Sequence, residues 1–122
     1  MWAIDKGMKT AWMALAALLL LGLSACGNRN KVKQPELLLD ERQMIEVMTD
    51  VYVVEAILNQ KKAQGEPLGS LPEDYYEQVF SHYGITDSIF TDNMEYYTHY
   101  PEVLERIMDS VTQRLENAGR DR

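Results

Sequence analysis

A short apolar run near the amino terminus sets how much of this chain can fold in water. Residues 11–21 are all apolar, and Lys6 and Lys9 bring positive charge to the segment that precedes this run. This run of eleven residues is too short to cross a membrane as a helix, which takes roughly 20 apolar residues. A positive start followed by a short apolar run is typical of a secretory signal peptide, so we predict that residues 1–25 are cleaved from the mature protein.

Small residues at the end of this segment predict where the cleavage occurs. Leu23, Ser24 and Ala25 precede Cys26, a sequence similar to the lipobox of bacterial lipoproteins. In that class the cysteine is acylated and becomes the first residue of the mature protein. Cys26 is the only cysteine of the chain, which excludes an intrachain disulfide. The alternative is an ordinary cleaved signal that an unrelated cysteine happens to follow.

The residues after Cys26 predict where the lipid-anchored protein lies. Gly27 takes the position at which an aspartate resembles an inner-membrane retention signal. No acidic run of the kind that directs some lipoproteins to the cell surface follows it. We therefore expect an outer-membrane protein that faces the periplasm, with residues 26–38 as its acylated cysteine and flexible basic tether.

Charge divides the mature chain into two parts. The tether carries Arg29, Lys31 and Lys33, whereas residues 36–122 hold seven basic and eighteen acidic side chains, a formal charge of −11. Because basic residues are attracted to an anionic lipid surface, we expect the tether to lie near the membrane and the acidic body to be held away from it. The whole chain has a charge of −7, which argues against a nucleic-acid partner because phosphate contacts need clustered basic residues.

Residues that break helices divide the body into segments. Glycine and proline residues at 65–69 form the first break. The helix before this break is predicted to begin at Asp40, because an aspartate N-cap with Gln43 three residues later forms a capping box. This helix is predicted to run to about Lys62.

The next three helices are predicted from their caps and breaks. Ser70 with Glu73 fits a capping box for the second helix, and Gly84 suits the left-handed residue just beyond its end. Thr86 is the predicted cap of the third helix. Pro101 ends the third helix and begins the fourth, because proline fits the first turn of a helix but not its interior.

Apolar residues recur at helical spacing in all four segments, and no strand pattern is present. On the fourth segment this face holds Leu104, Ile107, Met108, Val111 and Leu115. We therefore predict an all-α protein, a small four-helix bundle over residues 39–117 that is followed by a polar tail at 118–122. The core of such a domain is modest at this size.

A carboxylate interrupts the apolar face of the first helix. At about 100° per residue, one narrow stripe contains Met44, Met48, Val51, Glu55 and Leu58. We expect Glu55 to be buried and paired there, with a tyrosine hydroxyl, His99, Arg106 or a helix N-terminus as its partner. We favour a structural hydrogen bond that fixes helix packing, with a ligand-binding or proton-handling carboxylate as the alternative.

Val53 and Ile57 are apolar residues on the otherwise polar back of the same helix. They predict either a surface for a partner or a face that is covered by another part of the chain. We favour cover by the connection at residues 63–71.

Eight of the nine aromatic residues beyond the signal peptide lie between Tyr75 and Tyr100. Their helical spacing favours the core for most of them, with hydroxyl groups that reach the edge. The alternative is a tyrosine-rich surface that binds a peptide or a sugar. Tyr75, Tyr96 and Tyr100 fall away from the centres of the apolar stripes, so any exposed tyrosine of this segment is expected at one of these positions.

No catalytic or metal-binding set stands out in the sequence. Ser81 and His82 are adjacent and point about 100° apart on a helix, so they cannot act together as nucleophile and base. His99 lies at a helix junction. Glu46 and Asp50 are expected to be exposed and solvated. With one cysteine and two histidines, we predict no enzyme activity, no cofactor and no metal.

Three stretches of the body are similar to a known family. They are residues 44–52 with Glu55 and Ala56, residues 76–86 with Phe80, His82 and Gly84, and a later stretch with Phe90, Tyr97, His99 and Pro101. Together they resemble domain of unknown function 4296, a family of small bacterial lipoproteins, across residues 35–115. The resemblance implies no activity, because the family has none assigned. Asp50, Glu55, Tyr97 and His99 coincide with recurring parts of its pattern, which makes them candidates for a buried polar site or a ligand site.

These observations predict a non-enzymatic envelope lipoprotein that is held to the membrane by a lipid on Cys26. Its helical body is expected to contact another envelope protein. The alternative is a module that binds a peptide or a small ligand with residues 75–100 and Glu55, and a cleft that reaches Glu55 would favour it. An enzyme would need an acid, a base or a nucleophile converging in one pocket.

Overall fold

A computed structural model of the chain describes residues 10–11, 13–16 and 32–121. Residues 10–11 and 13–16 are helical and fall within the predicted signal peptide. The rest of that segment, the predicted lipid site Cys26 and the tether up to residue 31 lie outside the described residues. Among the residues described, none of the helices combines the length and the apolar character needed to cross a bilayer.

Four helices make up the body, which confirms the prediction of an all-α bundle. They are α1 (Glu41–Ala63), α2 (Leu71–His82), α3 (Asp87–Thr98) and α4 (Pro101–Arg120). The long helices α1 and α4 pack along each other, α2 packs against α1 and α3, and α3 also packs against α4. No strand occurs between residues 32 and 121.

The start of α1 follows its predicted capping box. The Asp40 carboxylate accepts a hydrogen bond from the Gln43 backbone at 2.8 Å, and the Asp40 backbone donates to the Gln43 side chain at 2.9 Å. Leu39 and Met44, on either side of the cap, are both buried in the core. The entry to the helix is therefore fixed by polar and apolar contacts together.

The start of α2 differs from the prediction. Ser70 is the N-cap residue, but its side chain makes no capping hydrogen bond, and its ψ angle of 2° is not that of an extended cap. The Ser70 hydroxyl instead donates to the Asp74 carboxylate at 3.2 Å. The predicted capping box with Glu73 is thus wrong, because the turn at Gly69 and Ser70 aims the serine away from the first-turn N–H groups.

The end of α2 and the start of α3 follow the sequence. Gly84 has a φ of 67°, and the Ile85 backbone donates to the Phe80 carbonyl oxygen at 3.0 Å, as in a Schellman end. The Thr86 hydroxyl then accepts a hydrogen bond from the Ile89 backbone at 3.2 Å, which caps α3. This tight reversal explains why Ile85 returns into the core.

Helix α4 begins at Pro101 as predicted, but it is longer than the sequence suggests. It continues to Arg120, past Asn117, after which we expected a polar tail. A guanidinium nitrogen of Arg120 lies 3.8 Å from a carboxylate oxygen of Glu116 on the same exposed face. Such a pair one turn apart is compatible with a helix despite the polar composition. The predicted helix end was therefore too early, because it rested on composition alone.

The core lies between the first half of α1 and the middle of α4, and α2 and α3 close it from the other side. Its buried members are Leu39, Met44, Val47, Met48, Phe80, Ile85, Tyr97, Ile107 and Val111. Met44 and Ile107 are fully inaccessible to solvent. The second half of α1 contributes little to this core, and that half carries the candidate site.

Candidate functional site

A groove lies between α1 and α3, two helices whose backbones make no close contact with each other. Its volume is about 600 Å³, and it is lined by Met48, Val51, Tyr52, Glu55, Ala56 and Asn59 from α1 and by Phe90 and Met94 from α3. We call this surface the α1–α3 groove. The lining is mainly apolar, and Glu55 is its only charged member.

The structure places Glu55 on an open wall of the groove rather than in the core. Its neighbours in the predicted stripe, Met44, Met48 and Leu58, are buried, but Glu55 itself is exposed. The expectation of burial is therefore wrong, because α3 makes no close backbone contact with α1 and this turn is left exposed. The stripe was correct as a direction on the helix but not as a measure of burial.

A tyrosine hydroxyl partners Glu55, one of the four kinds of partner considered for it. Tyr76 on α2 donates its phenolic hydrogen to the Glu55 carboxylate. The Tyr76 ring stacks on Phe80, with ring centroids 6.3 Å apart, and Phe80 packs on Phe90 at 5.2 Å. An aromatic row therefore connects the carboxylate of α1 with the α3 wall of the groove.

The other partners considered for Glu55 are engaged or distant. Arg106 pairs with Glu41 across α4 and α1, with nitrogen and oxygen 2.6 Å apart. His99 is exposed at the end of α3, beside a separate pocket of about 350 Å³ whose lining also includes Glu95 and Tyr96. Glu55 and His99 thus belong to different surfaces.

Next to the groove, α1 exposes an apolar strip that consists of Tyr52, Val53, Ala56 and Ile57. Tyr52, Val53 and Ile57 are 41%, 39% and 38% exposed. Their spacing places them on one side of the helix, and Tyr52 and Ala56 also line the groove. We call these four residues the α1 strip.

The connection after α1 does not cover this strip, which corrects our expectation for Val53 and Ile57. The Glu66 backbone donates to the Lys61 carbonyl oxygen at 3.0 Å, and the two side chains form an ion pair at the same distance. The connection is therefore held at the end of α1. Val53 and Ile57 lie one to two turns earlier and remain in contact with solvent.

Asp50 takes part in a second polar contact, on the side of α1 that faces α2. The Tyr83 hydroxyl donates its hydrogen to the Asp50 carboxylate at 2.5 Å, and its oxygen also lies 3.3 Å from the Glu46 carbonyl oxygen. Both acidic residues are half-buried, so the expectation that they are exposed and solvated is wrong. Burial, followed by the hydrogen bond to Asp50, raises the pKa of Tyr83 above its ordinary value.

Tyr97 and Asn93 hold the segment that enters α1. Tyr97 is buried and donates its hydroxyl to the Leu39 carbonyl oxygen at 2.6 Å. Asn93 is fully buried, accepts from the Leu39 backbone at 2.8 Å, and donates to the Leu37 carbonyl oxygen at 2.7 Å. Its amide also donates to the Ile89 carbonyl oxygen one turn earlier on α3, at 2.8 Å.

Sequence reasoning missed Asn93, although a signal for it was present. Asn93 lies three residues after Phe90 and four before Tyr97, so it falls on the apolar face of α3. A carboxamide at such a position needs several hydrogen-bond partners, and an irregular backbone segment can supply them. The three hydrogen bonds of Asn93 satisfy that need.

The four predicted site residues do not converge on one site. Glu55 lies in the α1–α3 groove, Asp50 binds Tyr83, Tyr97 binds Leu39, and His99 lies at the end of α3. Within the part of the chain that the structure describes, no group of three or more His, Cys, Asp or Glu side chains could hold a metal ion. Ser81 and His82 are both exposed on α2.

Among the tyrosines between Tyr75 and Tyr100, the exposed one lies at one of the three predicted positions. Tyr75 and Tyr96 are half-buried, and Tyr100 is 40% exposed. The Tyr96 ring contacts those of Tyr97 and Tyr100, with centroids 5.3 Å and 4.9 Å away. This cluster lies at the junction of α3 and α4, away from the aromatic row beside Glu55.

The extent of the body agrees with a known family. The family model DUF4296, a domain of unknown function, matches residues 35–120. This chain belongs to that family. The match begins just before the segment that Asn93 and Tyr97 hold and ends with α4, so the DUF4296 domain includes the entry segment and all four helices.

Curated proteins and solved structures give no match to this DUF4296 chain. The family description assigns no activity. The surface that offers most for inferring a role is the α1–α3 groove with the adjoining α1 strip, because its lining is mainly apolar.

Proposed function

We propose that this DUF4296 protein is a lipid-anchored protein of the outer membrane, facing the periplasm, whose helical body binds another envelope protein without catalysing a reaction. The lipobox-like residues that end at Cys26 support the anchor. The separate positions of Asp50, Glu55, Tyr97 and His99 support a binding role, since general acid–base or nucleophilic catalysis needs its groups in contact.

One observation carries the binding role, namely the apolar surface that the second half of α1 leaves open. Single exposed apolar residues are ordinary on soluble proteins. The α1 strip is different because its four members adjoin each other and continue into the apolar lining of the α1–α3 groove. Contiguous apolar surface of this kind, rimmed by polar residues, is typical of protein interaction sites.

The entry segment supports a partner in the same membrane. Asn93 and Tyr97 hold Leu37 and Leu39 against α3, so the tether leaves the body at a fixed place. Ten residues separate Cys26 from Leu37, and the eleven residue steps between them span at most about 40 Å when fully extended. A lipid on Cys26 would therefore keep the body within that distance of the membrane surface.

A photoreactive amino acid at position 57 tests the binding role in membranes. We expect Ile57 replaced in this way to crosslink one discrete envelope protein, whereas the same replacement at the exposed Gln113 of α4 should not. The crosslinked protein, once identified and purified, should bind the wild-type chain and lose most of its affinity for a Val53→Gln, Ile57→Gln variant. Equal crosslinking from both positions, or binding that the variant retains, would refute the role of the α1 strip.

The Cys26→Ser substitution tests the anchor separately. We expect the variant to leave the membrane fraction, and metabolic labelling with a fatty acid to mark wild type only. A Cys26→Ser protein that stays membrane-bound with its signal cleaved would contradict the lipid attachment. Crosslinks at position 57 that vanish with the anchor would indicate that the partner also lies in the envelope.

A module for a peptide or a small ligand is the second candidate, and a specific observation favours it. The α1–α3 groove reaches Glu55, and Phe90 and Met94 of the aromatic segment 75–100 form its other wall. Its volume of about 600 Å³ lies within the range of small-ligand sites. The groove is partly open to solvent, which suits an extended or helical chain better than a small enclosed molecule.

A further inference from the structure

The α1–α3 groove has the form of a site for a helix. Its α1 wall runs from Met48 to Asn59, about three helical turns or 16 Å. Met48 and Met94 face it from opposite walls, and methionine side chains adapt to the shape of an inserted apolar residue. An amphipathic helix that docks in a groove places apolar anchors one turn apart along such a length.

Glu55 gives the groove a charge that has no basic partner among residues 32–121. The ion pairs among the described residues join Lys61 to Glu66, Arg106 to Glu41 and Arg120 to Glu116, and none of them includes Glu55. The carboxylate accepts one hydrogen bond, from Tyr76, on one of its two oxygens. The remaining acceptor capacity can be used by a cation from outside the chain.

We propose that the α1–α3 groove binds an amphipathic helix of the partner protein, and that a lysine or arginine on this helix pairs with Glu55. The inference rests on the proposed binding role of α1 and specifies the chemistry of the partner. The charge of −11 on residues 36–122 favours a basic partner over a second copy of this chain, since two such bodies repel each other. The apolar face of the partner helix covers the groove lining, and the Tyr76 hydroxyl holds one oxygen of Glu55 while the other accepts from the partner's cation.

Disulfide trapping provides a direct test, because Cys26 is the only native cysteine and acylation would block its thiol. The full chain with Ala56→Cys, processed by the cell and placed in nanodiscs, carries its single added thiol on the groove wall. The probe is a synthetic amphipathic helical peptide with leucines at helical spacing and one cysteine a turn from one lysine. A second peptide is identical except that glutamate replaces the lysine.

We expect the lysine peptide to be trapped about two- to fivefold more than the glutamate peptide, a difference typical of a solvent-accessible ion pair. Adding Glu55→Gln should abolish the preference, and Glu55→Lys should reverse it in favour of the glutamate peptide. The matched control is Glu105→Gln on the exposed face of α4, which removes the same charge from the body but should leave the preference intact. Gln113→Cys should trap neither peptide efficiently.

Three outcomes would overturn the inference. They are equal trapping of both peptides at position 56, a lysine preference that Glu105→Gln removes as fully as Glu55→Gln does, and disulfide-linked dimers of the Ala56→Cys chain that exclude both peptides. A crosslinked envelope protein at Ile57 together with any of them would leave the proposed binding role standing and reject the basic helix alone. If position 57 crosslinks no envelope protein but the lysine peptide is still preferred at position 56, the envelope partner is rejected and the charge preference of the groove stands.

Discussion

The hydroxyl of Tyr97 donates a hydrogen bond to the backbone carbonyl oxygen of Leu39, 2.6 Å away and 58 residues earlier in the chain. The side-chain oxygen of Asn93, one turn before Tyr97, accepts a hydrogen bond from the backbone N–H of Leu39 at 2.8 Å. Both backbone polar groups of Leu39 are therefore satisfied by side chains of α3. A segment with no regular structure enters the core because these two side chains replace the hydrogen bonds that a helix or sheet would provide.

Asn93→Ala is expected to destabilise the body by about 2–3 kcal/mol. The substitution leaves the buried N–H of Leu39 without a partner, and such a group costs about 1–3 kcal/mol in addition to the lost packing. Urea unfolding followed by circular dichroism measures the change. Gln113→Ala removes a carboxamide from the exposed face of α4 and should change the stability by less than about 0.5 kcal/mol. Similar effects of the two substitutions would contradict the role of Asn93.

Tyr97→Phe separates the hydroxyl from the ring. The ring stays in the core, so the expected loss is that of one buried hydrogen bond, about 1–2 kcal/mol. In the double variant with Asn93→Ala, the two losses should not add, because both side chains bind the same residue. Hydrogen exchange at Leu39 reports the effect directly, and it should become faster in either variant. Strictly additive losses would indicate two independent contacts.

The helix pattern of this protein could be predicted because its boundaries are local. Asp40 with Gln43, Thr86, Gly84 and Pro101 each act within one turn, and the structure has the boundaries that they predict. Ser70 is the exception, because the turn that precedes it sets its backbone angles, and those angles decide where its side chain can reach.

The candidate site could be predicted less well because it depends on the distance between helices. The position of Glu55 on α1 follows from its spacing, but its exposure depends on how far α3 lies from α1. The cover expected for Val53 and Ile57 failed for the same kind of reason, since the connection that could have reached them is held near Lys61. Periodicity gives a direction around a helix, whereas burial depends on what packs there.

Replacing Val53 and Ile57 together by glutamine should leave the stability within about 0.5 kcal/mol of wild type. Both side chains are more than one-third exposed, so folding removes little of their apolar surface from water. Ile107→Ala, in the fully buried core, should cost about 2–5 kcal/mol. Thermal unfolding of both variants measures the two changes. A large loss from the double glutamine variant would mean that the α1 strip is covered in solution and is not free to bind a partner.

Gly84→Ala should destabilise the body by about 1–2 kcal/mol. Gly84 has a φ of 67°, and an added Cβ atom meets no other atom within 4 Å, so the cost comes from the backbone angle alone. Gly119→Ala is the matched control, because Gly119 is helical and also has open space around it. That substitution should be neutral or slightly stabilising, since alanine favours a helix. Thermal unfolding of the two variants would contradict this account if Gly84→Ala were as stable as Gly119→Ala.

The raised pKa of Tyr83 predicts how the free energy of unfolding changes at alkaline pH. Burial and the hydrogen bond to Asp50 raise its pKa in the folded protein above the ordinary value of 10.0. The unfolded chain then loses this proton at a lower pH than the folded one. The stabilisation from Tyr83 is therefore complete below pH 10.0 and is lost as the pH rises from there toward the higher pKa of the folded state.

Urea unfolding between about pH 8 and pH 11 measures this loss, which spans the ordinary pKa range of tyrosine. Tyr97 also has a raised pKa, chiefly because of its burial, so both proteins in the comparison should carry Tyr97→Phe. In that background, the extra stability of Tyr83 over Tyr83→Phe should be constant on the acidic side of pH 10.0 and should shrink above it. Asp50→Asn removes the second cause of the raised pKa and should make this decline smaller. Stability curves that stay parallel across the whole range would mean that the Tyr83 hydroxyl titrates as it does in water, and that its contact with Asp50 is not maintained in solution.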